Sequence, residues 1–232
     1  MDKNLKPIVG VSACLLGENV RYDGANKNQP LIQKCLQPHL KLQAVCPEVR
    51  AGLGIPRPTI QLHEKNKSVR AIFNQGQEDI SDKLTKVAVE FLNDNYALPL
   101  CGFIFKSRSP SCGLQSTPVV DSTNGLQSGL FAHHIKRDGG NLLLVEETQL
   151  VNEETLYCFL TACYLMFHHR YSGNIDLQLL SLLKLTERSV MDTNIVNYWI
   201  DILLQKNIHE SRNDKAALSE RLCGYWVALE TD

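Results

Sequence analysis

Three apolar runs in the first half of the chain each hand over to a cysteine, and this repeated ending constrains the fold more than any other feature. Ile8–Ala13 leads into Cys14, Leu40–Val45 leads into Cys46, and Leu100–Phe105 leads through Lys106, Ser107, Arg108, Ser109, Pro110 and Ser111 into Cys112. Short apolar runs bounded by glycine or proline turns read as buried strands. Helical patterns lie between them. Leu31–Leu36 reads as a helix and Val69–Phe73 as another strand. From Asp79 to Asn95 the apolar residues Ile80, Leu84, Val87, Ala88, Phe91 and Leu92 follow the period of an amphipathic helix. Ser128–Ile135 reads as a helix and Asn141–Val145 as a strand. Alternation of this kind predicts an α/β fold, a Rossmann-like, mainly parallel sheet with flanking helices. The carboxyl ends of such a sheet lie along one edge, where ligands bind at the switch in strand order. Three thiols far apart in sequence are therefore expected to share one pocket.

After Glu147 the pattern turns helical. Glu153–Phe167 reads as a helix, Tyr171–Asn174 as a break, and three helical patterns follow over about 175–188, 192–206 and 213–229. The expected organisation is a catalytic α/β domain over 1–170 and a small all-α C-terminal extension over 171–232. At 232 residues and a formal net charge of -1, the chain can bury a core but lacks the charge excess of a protein that binds nucleic acid by bulk electrostatics. The opening residues MDKNLKPIVG contain no apolar stretch fit for a signal peptide. The longest apolar run, Leu156–Phe167, is shorter than the ~20 residues a bilayer demands. A cytoplasmic protein without membrane or DNA partners is expected. Its eight cysteines should then be mostly reduced, and no CxxC pair marks a zinc ribbon or a thioredoxin-type motif. Any metal site must be assembled from distant segments.

Four thiolates close a structural zinc site or an iron–sulfur cluster; three leave one metal position open. Gly17 and Gly113 permit close backbone approach, while Lys106 and Arg108 favour thiolates. An open iron is a soft Lewis acid that prefers sulfur, which points to sulfur chemistry. A buried free cysteine also serves as a small hydrophobe, and Cys35, Cys101, Cys158, Cys163 and Cys223 are read that way. For Cys14, Cys46 and Cys112 both readings stand, and spacing does not choose between them. Glu48 is placed to act as a general base or simply to be solvated. Ser109 either points its hydroxyl inward or serves the turn. Arg21 and Asp23 either bind a polar ligand or belong to an Asp-Gly turn. Arg57, between two prolines, positions a guanidinium or makes a surface ion pair. The pairs His133-His134 and His168-His169 lack partners at metal-ligand spacing and are read as non-ligands. A zinc site built on three cysteines, structural or hydrolytic, and a non-enzymatic adaptor acting through the helical tail are the rival classes.

Three blocks carry a family likeness: CLLGENVRYDG over 14–24, CPEVRAGLGIPRP over 46–58 and KSRSPSCG over 106–113. In this order they resemble the signature blocks of the TudS-like thiouracil desulfidase family, and the likeness runs from about Lys6 to about Phe167. The resemblance implies a [4Fe-4S] cluster held by Cys14, Cys46 and Cys112, whose fourth iron takes the sulfur of a thiolated uracil. It also implies that Glu48 and Ser109 assist a non-redox hydrolysis. Arg21, Asp23, Arg57 and Lys106 are the expected substrate contacts. The implied substrate is a thiolated pyrimidine as free base or nucleotide, or a 4-thiouridine in tRNA. Two departures bear on substrate preference. Ala51-Gly52-Leu53 stands where the family often has two glycines before the leucine, and Thr59-Ile60-Gln61 stands where an acidic residue is common. Some relatives with an extra domain act on thiolated tRNA; the acidic balance of the tail here argues against tracking phosphates.

Overall fold

A computed structural model describes residues 6–171 except 67, 97, 99, 121–124 and 141. In chain order the strands are β1 (Ile8–Ser12), β2 (Lys41–Val45), β3 (Ile60–Lys65), β4 (Ser68–Phe73), β5 (Leu100–Phe105), β6 (Thr117–Val120), β7 (Leu126–Gln127) and β8 (Leu143–Glu146). The helices are α1 (Pro30–Leu36), α2 (Pro47–Arg50), α3 (Ser81–Asp94), α4 (Leu130–Asp138) and α5 (Glu153–Tyr171).

Four strands form a wholly parallel sheet in the order β2-β1-β5-β8. The chain leaves β1, returns through α1 as β2 on one side, and later comes back on the other side of β1 as β5. The strand order thus switches between β1 and β5, the place where open α/β sheets bind ligands. β1 and β5 are buried along their whole length, as strands covered on both faces must be. Val9, Val11, Ile104 and Val145 pack in one core cluster with residues of α1 and α5. Phe103 and Phe105 pack in another with Phe91 of α3 and Phe131 of α4. The Phe91 and Phe131 rings each meet Phe103 edge-on, with centroids 5.7 and 5.5 Å away. Burying each such side chain stabilises the fold by ~1.5–3 kcal/mol.

A register shift between β1 and β5 lets the extra residue Cys101 bulge into the α5 side, so Leu100 and Phe103 share a face despite odd spacing. Gly10 sits opposite Phe103; a Cβ there would overlap the Phe103 ring.

A second sheet, in the order β4-β3-β6-β7, was not expected from the sequence beyond the one strand at Val69–Phe73. β3 pairs antiparallel with β4 and parallel with β6. Thr59 and Ile60, at the start of β3, reach the rim of the site.

The described residues end at Tyr171, in α5. The helices expected over 175–188, 192–206 and 213–229, the C-terminal extension they would compose, and Cys223 lie outside the described residues. No described helix is long and apolar enough to cross a membrane.

Candidate active site

The carboxyl ends of β1, β2 and β5 open into a pocket of about 400 Å³ lined by Cys14, Cys46 and Cys112. Each thiol arrives by a different local device. Cys14 lies in a short 3-10 turn, Ala13–Leu16, closed by Gly17 in the left-handed region at φ 89°. Cys46 caps the N-terminus of α2, which Pro47 begins. Cys112 ends a turn in which the Ser109 hydroxyl accepts the Cys112 N–H at 3.0 Å. Cys14 and Cys112 are buried, Cys46 is half-buried, and all three are free.

Burial dominates their acidity. The Cys14 thiol is pushed up to about 11, first by burial and then by the neighbouring Cys46, against the pull of Arg21 and Lys106. Cys112 is raised well above the ordinary thiol range by burial, partly offset by a hydrogen bond from Ser12. Cys46 is raised by burial, with the backbone N–H groups of Val49 and Glu48 and the Arg57 charge working the other way. Thiols so placed keep their protons unless a cationic centre takes up the charge.

Three soft donors from three strands around one space fit a metal–sulfur group. Among the described residues, no three His, Cys, Asp or Glu side chains converge closely enough to hold a single ion. A lone zinc with bonds of ~2.3 Å to sulfur would need its thiolates within about 4 Å of one another. Three thiols lining one cavity match the donor set that would hold a metal–sulfur cluster with one position left open.

Glu48 lines the same pocket and is held by both oxygens. Oε2 accepts the Arg57 Nε–H at 2.6 Å, and Oε1 accepts the Ser111 hydroxyl at 2.8 Å. Arg57 is buried; its other nitrogens donate to the carbonyls of Gly54 and Val20, each at 2.8 Å. Its fork is therefore directed at the protein as well as at the cavity it lines. Ser111 is fully buried and was not singled out in the sequence, because nothing in the KSRSPSCG block says which serine turns inward.

Of the remaining expected contacts, Lys106 lines the pocket, and its Nζ has three acceptors: Glu147 Oε1 at 2.6 Å and the Ser107 carbonyl and hydroxyl oxygens, each at 3.0 Å. Arg21 also lines it, stacked 5.3 Å from the Tyr22 ring centre; its Nε is buried and, though 3.4 Å from Asp23 Oδ1, makes no aligned hydrogen bond. Asp23 is exposed, accepts the Ala25 N–H at 3.1 Å, and is not among the lining residues. Lys27 and Arg108 line the mouth, exposed, and their side chains have no hydrogen-bond or ion-pair partner among the described residues. His134 bonds Thr85 and Arg137, and neither it nor His133 reaches the pocket. The side chains of His168 and His169 are outside the description. Cys35, Cys101 and Cys163 are buried in the core, as expected of small hydrophobes.

Fold and site together define an α/β protein with a thiol-lined pocket at its topological switch point. A family described as 2-thiouracil desulfurase matches residues 9–147, more than half of the chain, and the chain belongs to that family. Among solved structures it is similar to a [4Fe-4S]-dependent thiouracil desulfidase, TudS, at 28% identity and a TM-score of 0.50. The likeness covers 63% of this chain and 93% of that one. No curated protein matches the chain.

Proposed function

We propose that this chain is a non-redox desulfidase that replaces the sulfur of a thiolated uracil with oxygen, using a [4Fe-4S] cluster held by Cys14, Cys46 and Cys112. The observation that carries this reading is the meeting of three thiols from adjacent strand ends in a pocket that also holds Glu48. The [4Fe-4S] dependence of the similar solved structure supports it from outside. When bound, such a cluster supplies one iron position not taken by the protein, a soft Lewis acid suited to a thione sulfur.

Glu48 accepts the proton of the water that adds to the thione carbon. Each carboxylate oxygen has two acceptor sites, so Arg57 and Ser111 leave room for that water while fixing the carboxylate plane. Ser109 plays a donor's part. Its oxygen already accepts the N–H groups of Ser111 and Cys112, so what it can offer the pocket is its own proton, directed at charge developing on the ring. Water adds, the C–S bond breaks, the ring keeps the oxygen and sulfide leaves; no electron is gained or lost.

Lys27 and Arg108, at the mouth and without a side-chain partner among the described residues, favour the nucleotide among the possible forms of substrate, because its phosphate would meet them while the base enters. The test is anaerobic reconstitution with iron and sulfide, followed by sulfide-release assays on 2-thiouracil, 4-thiouracil, 4-thiouridine, its monophosphate and thiolated tRNA. Release of sulfide from a thiolated uracil, lost together with the cluster in each cysteine-to-alanine variant, is the expected result. A reconstituted protein that releases none from any of the five, a Cys46→Ala protein that still binds four irons, or zinc in place of iron would overturn it.

A further inference from the structure

The turn that delivers Ser109 and Cys112 is eleven residues long, Lys106–Ser116, and contains neither helix nor strand. Its order has a source that lies outside the three family blocks: the adjacent carboxylates Glu146, a buried residue at the end of β8, and Glu147, half-buried as a residue but with its side chain only 8% exposed. β8 pairs with β5 so that Glu146 faces Phe105, the last residue before the turn. The two side chains then reach opposite ends of it.

Glu147 grips the entry. Its Oε2 accepts the Ser107 N–H at 2.7 Å, and its Oε1 accepts the Ser107 hydroxyl at 2.8 Å and Lys106 Nζ at 2.6 Å. Glu146 grips the exit. Its Oε1 accepts the Leu114 N–H at 2.6 Å and the Ser116 hydroxyl, and Ser116 Oγ in turn accepts the Arg108 N–H at 2.8 Å. Between them, the first turn of α4 holds the middle. Leu130 N–H and Ala132 N–H donate to the carbonyls of Pro110 and Ser111 at 3.0 and 3.1 Å.

We propose that Glu146 and Glu147 form a two-point clamp that positions Cys112 and Ser109, with Glu147 the stronger point. Both are positioning residues: neither is among the residues lining the pocket, and they act through the turn. The inference deepens the desulfidase reading, on which its functional consequences rest, but the clamp itself is testable without it.

A clamp differs from a simple charge pair with Lys106. Glu147→Ala removes three hydrogen bonds at once and strands the Ser107 N–H; Lys106→Met removes one of those three, together with the ammonium's own bonds to the Ser107 oxygens, and leaves the Ser107 N–H and hydroxyl held by Glu147. The experiment uses the full-length chain after chelation, alkylated with iodoacetamide and read by mass spectrometry at each cysteine. Cys112 is expected to react about tenfold or more faster in Glu147→Ala than in the parent, with Cys101 and Cys163 unchanged as reporters of an intact core. Lys106→Met should raise the Cys112 rate less than threefold, and Glu147→Gln, which keeps one acceptor, should fall between. If Glu147→Ala leaves Cys112 as protected as in the parent, or if Lys106→Met exposes it equally, the clamp is refuted. If Glu147→Ala fails to fold, Glu147→Gln and Glu146→Gln carry the same comparison.

The same proteins reconstituted anaerobically test the link to function. The clamp predicts a Glu147→Gln enzyme with at least about threefold lower iron content or kcat and a KM within twofold of the parent, since Glu147 does not face substrate. A change confined to KM would overturn the positioning role. A parent chain that takes up no iron would sink the desulfidase reading and leave the alkylation result standing.

Discussion

The Ser111 hydroxyl donates to Glu48 Oε1 at 2.8 Å, so the turn after β5 and the helix after β2 meet at the carboxylate proposed as base. The same turn carries Cys112 and the same helix is capped by Cys46. One hydrogen bond thereby ties the orientation of the base to the frame that holds two of the thiols. Ser111→Ala should lower kcat by about tenfold to a hundredfold, as expected when a general base loses its alignment. Iron content after reconstitution should stay at the parental level. A Ser111→Ala enzyme with undiminished turnover would show that Glu48 needs no such alignment.

The Arg57–Glu48 pair makes a different prediction, about stability. The two side chains are 2% and 13% exposed, and Arg57 also satisfies the carbonyls of Val20 and Gly54. Removing only the cation leaves the largely enclosed Glu48 carboxylate with the Ser111 hydroxyl but no counter-charge, and takes the guanidinium donors from the carbonyls of Val20 and Gly54. Arg57→Ala should cost about 3–5 kcal/mol in urea unfolding. Arg57→Lys keeps the charge but not the planar fork, and should recover part of that stability while activity stays low. If Arg57→Ala unfolds at the parental urea concentration, the pair contributes no net stability.

Gly129 is the third test, and its reason is room rather than backbone freedom. It caps α4 with φ -60° and ψ 152°, angles open to any residue. A Cβ there would lie 2.5 Å from the Ser111 carbonyl carbon and 2.6 Å from the Ser109 oxygen, both backbone atoms that cannot swing aside. Gly129→Ala should push the Ser109–Cys112 turn away from α4 and reduce iron retention and kcat together, each by about tenfold on the argument that overpacking shifts backbone. Full iron content in this variant would mean that the turn tolerates displacement.

These tests also mark where the sequence was informative. Leu100–Phe105 was readable as a strand from end to end because six consecutive apolar residues, closed by Lys106, leave few alternatives. The amphipathic helix α3 was readable for the same kind of reason, a long regular period. The second sheet was not. β3 is IQLHEK, with four polar residues among its six; β6 includes Pro118; β7 has two residues. Their pairing is non-local, and such strands carry little pattern of their own. At the site, the strand-end cysteines were legible by position, whereas Ser111, Glu146 and Glu147 were not. Their importance comes from contacts made over 30 to 63 residues of chain, which spacing does not encode.

The last prediction concerns pH. An exposed thiol in the unfolded chain titrates near its ordinary value of 9, whereas folded Cys14 keeps its proton up to about 11. Between these values the unfolded state has already released a proton that the folded state retains, so unfolding is favoured as pH rises. The contribution of Cys14 is fully present below about 9 and is lost as pH climbs through 11; the raised Cys46 and Cys112 act in the same sense. Metal-free protein should therefore show a falling urea midpoint from pH 9 to 11, and Cys14→Ser should flatten part of that slope. Metal loading reverses the sign, because thiolates bind the metal and the displaced protons leave, so iron uptake should strengthen from pH 7 to 9. Urea titrations and anaerobic iron-binding measurements across this range check both limbs. An urea midpoint that holds steady between pH 9 and 11 in the metal-free chain would contradict the burial assigned to these thiols.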